Sequence, residues 1–115
     1  MMKVLIVDDN ARMRKTIRSI VGSPSDEVQE CKDGSEVLTM YESFHPDWVL
    51  MDIEMKMKDG FAATRELMGL HPEAKVIIVT NHSDQQSRDE ARDAHAYGFV
   101  PKGNLFELRE LMGAA

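Results

Sequence analysis

Four short apolar runs, each stopping on polar chemistry, constrain this chain more than anything else in it. Lys3-Val4-Leu5-Ile6-Val7 stops at Asp8-Asp9, and Trp48-Val49-Leu50-Met51 stops at Asp52. Lys75-Val76-Ile77-Ile78-Val79 runs into Thr80, and Gly98-Phe99-Val100-Pro101 runs into Lys102. Runs this short and this apolar read as strands buried on both faces, as in parallel sheets. A weaker fifth strand is expected from Glu27 to Cys31.

Helical patterns fill the gaps. Asn10 is placed to cap a first helix, in which Met13, Ile17, Ile20 and Val21 share one face. Arg12, Arg14, Lys15 and Arg18 lie off that face, as a solvated basic surface or a docking patch. Gly22-Ser23-Pro24-Ser25 breaks the helix. Asp33-Gly34-Ser35-Glu36 carries turn and cap signals. A second helix follows with Val37, Leu38, Tyr41 and Phe44, and His45-Pro46 ends it. A third runs from about Phe61 to Leu70 after Asp59-Gly60, burying Phe61, Leu67 and Met68. The fourth, Ser83 to Ala96, has a thin apolar face of Ala91 and Ala94, with Ala96 and Tyr97 near its end, and should dock weakly. Asn104 is expected to cap a short final helix with Leu105, Leu108 and Met112 inward.

Strand and helix thus alternate five times, which implies a parallel sheet covered by helices on both sides. The expected fold is α/β, flavodoxin-like and doubly wound, with strand order 2-1-3-4-5. A chain of 115 residues suits one core, so a single domain over residues 1–115 is expected, with no output domain in this chain, which either stands alone or is part of a longer regulator. The net charge of −6 argues against direct contact with nucleic acid. Cys31 is the only cysteine and reads as a small core residue in a reducing compartment. The apolar run after Met1-Met2-Lys3 is too short for a signal peptide or a membrane span, so a cytoplasmic location is expected.

In such a sheet, ligands bind at the carboxyl ends of the strands. That edge collects Asp8, Asp9, Asp52, Thr80 and Lys102. Singly, each has an ordinary reading as a turn acid, a strand hydroxyl or a solvated lysine. Together they are a more specific pattern. Crowded carboxylates repel and raise each other's pKa values, and a hard cation such as Mg²⁺ relieves that. Thr80 brings a hydroxyl donor and Lys102 a compact positive charge, which suits a phosphoryl group. Asp8 and Asp9 are then metal ligands. Asp52, centrally placed, is a candidate nucleophile of the kind that forms aspartyl phosphates.

Over nearly its whole length the chain resembles the response-regulator receiver domains of two-component signalling, and the stand-alone chemotaxis receiver in extent. The resemblance implies that Asp8 and Asp9 are the acidic metal pair and Asp52 the phospho-acceptor. It also implies that Thr80 is the switch hydroxyl, Phe99 the switch aromatic and Lys102 the family's lysine. Asp59-Gly60 matches the family's start of the third helix, and the backbone carbonyl of Glu54 would complete a Mg²⁺ shell. Glu54 and His82, two residues past Asp52 and Thr80, fall where receivers tune phosphoryl loss. Implied partners are a histidine kinase or histidine phosphotransfer protein, and a downstream protein or fused output domain. The output surface is expected on the fourth helix, fifth strand and fifth helix.

The sequence departs from the pattern in three places. Met55 is followed by Lys56 rather than proline, so the loop after Asp52 is expected to be more mobile, with its methionines available to a partner. Gly103 follows Lys102 where many receivers have proline; the resemblance still implies the family's cis peptide after the lysine, on a weaker basis. Phe99 lacks the hydroxyl of the tyrosine found in many receivers.

Two other functions compete. An aspartate-based phosphohydrolase would resemble Asp-x-Asp on the first strand, whereas this chain has adjacent Asp8-Asp9, then Asn10 and no cap insertion. A receiver-like interaction module that takes no phosphate would be expected to lack an acid, the threonine or the lysine, and all are present.

Overall fold

The structure, a computed structural model, describes residues 2–113. Five strands form one parallel sheet: β1 (Lys3–Val7), β2 (Glu27–Cys31), β3 (Trp48–Met51), β4 (Val76–Thr80) and β5 (Gly98–Pro101), in order β2-β1-β3-β4-β5. The helices are α1 (Ala11–Val21), α2 (Val37–Phe44), α3 (Gly60–Leu70), α4 (Gln85–Asp93) and α5 (Glu107–Gly113). This is the expected flavodoxin-like topology.

Side-chain alternation along the central strands divides the core in two. Leu5, Val7, Val49, Met51, Val76 and Ile78 pack with residues of α2, α3 and α4. Val4, Ile6, Leu50, Ile77, Val79 and Val100 pack on the other face, with α1 and α5. Both faces are dry, which is why the strands read as unbroken apolar runs. Cys31 is buried in the first layer, where burial pushes its thiol up to about 12. Such a thiol is unreactive.

Register then places the strand ends. Val7 pairs with Met51, so Asp8 and Asp52 leave adjacent strands side by side, and Asp52 N–H donates to Val7 O at 2.9 Å. Thr80 pairs with Pro101, which sets Lys102 just beyond the same edge. Asn10 Oδ1 accepts from Met13 N–H and caps α1 as expected. Asp59 caps α3 through Ala62 N–H.

Four expectations need correction. Helix α4 is shorter than Ser83–Ala96, because Asp84 caps it and His95 turns left-handed at φ 65° beyond it. Its only buried residue is Ala91, with Ala94 buried at its end, so the thin apolar face is real. Asn104 does not cap α5: Lys102–Asn104 form a 3-10 turn and the helix starts at Glu107, although Leu105, Leu108 and Met112 are buried. A cis peptide after Lys102 is absent, as everywhere among the described residues. Without proline that form costs about 3 kcal/mol or more. Arg14 does not lie on a solvated face but is buried, while Met13 and Ile20 are only partly so.

The loop after Asp52 is also tied more firmly than its missing proline suggests. Asp33 accepts from Met57 N–H at 2.9 Å and Lys58 N–H at 3.1 Å, and Gly34 N–H donates to Lys58 O. Burial raises the Asp33 carboxyl, but the N–H groups of Met57, Ser35 and Lys58 outweigh it and hold the pKa at about 2. Gly60 closes the loop through its N–H to Ile53 O, at 2.8 Å. A Cβ there would sit 1.9 Å from the carbonyl oxygen of Asp52, so only glycine fits. Met57 remains exposed at the loop tip.

Candidate functional site

Asp8, Asp9, Asn10, Asp52, Glu54, Thr80, Asn81 and Lys102 line one cleft of about 270 Å³ at the carboxyl edge of the sheet. Carboxylate oxygens of Asp8, Asp9 and Asp52 lie within 4.8 Å of one another. Asp8 and Asp52 are buried, while Asp9 is exposed. Lys102 Nζ reaches into the cluster, 2.9 Å from Asp8 Oδ2 and 3.3 Å from Asp52 Oδ1.

Burial raises the Asp52 carboxyl, the negative charge of Asp8 raises it further, and Lys102 only partly offsets both, leaving it at about 6. Burial would lower the Lys102 ammonium, but its contacts with Asp8 and Asp52 win and raise it. The cluster holds more negative charge than its one lysine balances. Asp8 Oδ2 is also buried without an aligned hydrogen bond, despite the nearby ammonium. An all-oxygen donor set with an unsatisfied buried carboxylate oxygen fits a hard divalent cation.

Thr80 is buried at the end of β4, where its Oγ1 accepts from His82 N–H at 3.0 Å. Its hydroxyl proton is left for another acceptor. His82 Nε2 pairs with a Glu54 carboxylate oxygen across the mouth of the cleft, and this contact raises the imidazole pKa. The two residues thus form one bridge between the loops after β3 and β4. Asn81, which the sequence reading passed over, also lines the cleft. Its signal was its place directly after Thr80.

Phe99 lies outside the cleft, half-buried on β5 against the α2–α3–α4 layer. The Arg88 guanidinium of α4 sits 4.6 Å from its ring centroid. His45, His71 and His95 stand apart from the site. His71 contacts Glu42 at 2.9 Å and packs against the Tyr41 ring at a tilt of 44°.

Residues 4–114 match the response regulator receiver domain family. The chain is 34% identical over 100 residues to the chemotaxis protein CheY of Halobacterium salinarum, covering 87% of this chain and 83% of that one. It is 38% identical over 119 residues to a protein-glutamate methylesterase/protein-glutamine glutaminase of Pyrococcus horikoshii, covering 94% of this chain but 32% of that one. The crystal structure of response regulator protein TrrA from Thermotoga maritima, in complex with Mg²⁺ and BeF, matches with a TM-score of 0.88 at 29% identity, covering 99% and 98% of the two chains.

The chain belongs to the response regulator receiver domain family. Its acid cluster is a receiver-type phosphoacceptor site whose three carboxylates stand close enough to share one metal ion. Matches to this chain make up most of the chemotaxis protein and about a third of the methylesterase/glutaminase. No helix among the described residues is long and apolar enough to cross a membrane.

Proposed function

We propose that this chain is a cytoplasmic phosphoacceptor switch, working as one receiver domain, with Asp52 as its covalent site. The observation that carries the reading is the convergence of three carboxylates, two of them in contact with Lys102, in a cleft that Thr80 also lines. The phosphoryl donor is a phosphohistidine on a histidine kinase or a phosphotransfer protein. A carboxylate oxygen of Asp52 forms the new bond to phosphorus. The phosphorus–nitrogen bond of the donor breaks, and its electron pair stays on the imidazole.

Asp8, Asp9, Asp52 and the Glu54 carbonyl would hold the Mg²⁺. When bound, the ion neutralises charge on the acids and on the phosphoryl oxygens. Lys102 supplies a fixed ammonium beside Asp8 and Asp52, and Thr80 would donate its hydroxyl proton to a phosphoryl oxygen. The Glu54–His82 pair joins the loops after β3 and β4 beside the cleft, and we assign these two residues the tuning of phosphoryl loss.

Asp9→Ala is expected to weaken Mg²⁺ binding and phosphorylation together, each by at least ~10-fold, the low end for residues that support a metal. The same change should leave the metal-free protein equally or more stable, because it removes one charge from a repelling group. Calorimetric Mg²⁺ titration and chelator-treated urea unfolding measure the two effects. A clear loss of metal-free stability would give Asp9 a structural role instead.

The output surface we assign is α4–β5–α5. Helix α4 is held mainly by alanines and can shift at low cost. Thr80 moving toward the phosphoryl group gains a hydrogen bond worth ~1.5–3 kcal/mol. Phe99 is already half-buried, so full burial adds roughly 1 kcal/mol, less than the whole-ring value. Arg88 over the ring contributes a similar ~0.5–1 kcal/mol. These magnitudes shift a two-state population without locking it. Amide shifts with and without beryllofluoride and Mg²⁺ test the surface. Changes reaching Arg88, Phe99 and α5 are expected, and changes confined to α1 and the loop after Asp52 would exclude it.

A further inference from the structure

We propose that Arg14 is a positioning residue for the metal-binding turn, acting through the backbone carbonyl of Asp8; this rests on the phosphoacceptor reading above. Arg14 is buried on α1, and its Nη1 donates to Asp8 O at 2.6 Å. Its Nε donates to Glu30 Oε1 on β2 at 2.7 Å. The other Glu30 oxygen accepts from Arg18, through Nε at 3.0 Å and Nη2 at 2.8 Å. Burial raises the Glu30 carboxyl, but the two guanidinium groups outweigh it and hold it below the usual range.

The remaining polar groups of Asp8 are fixed as well. Its N–H donates to Cys31 O at 3.1 Å, and its Oδ1 accepts from Asn10 N–H at 2.9 Å. Oδ2 is the oxygen turned to Lys102. Asp8 O is therefore the one backbone group of this residue whose partner is a side chain rather than backbone. It belongs to the peptide that joins Asp8 to Asp9, so its direction sets where the exposed Asp9 carboxylate stands. A planar guanidinium serves Glu30 and Asp8 O together, whereas an ammonium has no such fork.

Two other roles make different predictions. As a nearby cation, Arg14 would compete with Mg²⁺, and removing it would tighten binding. As a clasp between α1 and β2, it would behave like Arg18, which holds Glu30 but does not touch Asp8. Mg²⁺ titration of the whole chain by calorimetry separates the three. Arg14→Met and Arg14→Lys are each expected to weaken Mg²⁺ about 10-fold or more, the effect of losing a residue that supports metal ligands. Arg18→Met should stay within about twofold of the wild type on the same reasoning. In the metal-free protein, the amide shifts of Asp9 and Asn10 should move in both Arg14 variants and stay put in Arg18→Met. If Arg14→Met does not fold, Arg14→Lys carries the same test. Unchanged or tighter Mg²⁺ binding in the folded Arg14 variants overturns the proposal, as does equal weakening in Arg18→Met. A wild-type chain that binds no Mg²⁺ instead overturns the phosphoacceptor reading on which it stands.

Discussion

Asp52→Asn is expected to make the metal-free protein more stable than the wild type near neutral pH, by about 3 kcal/mol. The Asp52 carboxyl stands at about 6 in the fold, against 3.8 ordinarily. The folded chain therefore keeps this proton to higher pH than the unfolded chain does. Between those two values the folded state binds more protons, so stability falls as pH rises through the window. Below it the penalty vanishes, and above about 6 it is complete. Asparagine keeps the shape and an oxygen for Lys102 but never ionises. The variant should lose the decline between 3.8 and about 6, and its advantage should disappear in acid. Urea unfolding in chelator across that range measures it. A wild type whose stability is flat there, or a variant no more stable at neutral pH, would contradict the strained, ionised Asp52.

Lys102→Met is expected to move Mg²⁺ affinity and phosphorylation rate in opposite directions. Lys102 is the cation set between Asp8 and Asp52 at 2.9 and 3.3 Å. Without it, the acids carry more uncompensated charge and should hold Mg²⁺ more tightly. Yet the phosphoryl oxygens lose a fixed donor, which typically costs about 10²–10³ in rate. The metal-free fold should weaken too, because breaking a buried ion pair costs roughly 3–5 kcal/mol, here reduced by proton uptake on Asp52. Titration with Mg²⁺ and the rate of labelling by acetyl phosphate test both halves. An unchanged rate would leave Lys102 with a structural task only.

The strand ends were legible because their signal is local. An apolar run that stops on an acid states both where the strand ends and what it carries, and parallel pairing does the rest. Arg14 was not legible. In the sequence it is one of four basic residues on a helix, and its destination depends on β2 lying beside β1 with Glu30 facing α1. The Glu54–His82 bridge was half legible: each residue could be placed near the site, but their meeting depends on β3 and β4 being neighbours. Asn104 misled because its cap signal competed with a 3-10 turn that begins at Lys102. The ties from Asp33 and Gly60 to the loop after Asp52 were not legible, because both residues lie outside the loop's centre.

The most direct test is where a phosphoryl group lands. Incubating the purified chain with acetyl phosphate and Mg²⁺, and locating the adduct by peptide mass spectrometry, should place an alkali-labile, hydroxylamine-sensitive phosphoryl group on Asp52 alone. Chelator should suppress it, and Asp52→Asn should abolish it while the fold persists. Undiminished labelling of Asp52→Asn, or an adduct on Asp8 or Asp9, would contradict the assignment of Asp52 as the switch.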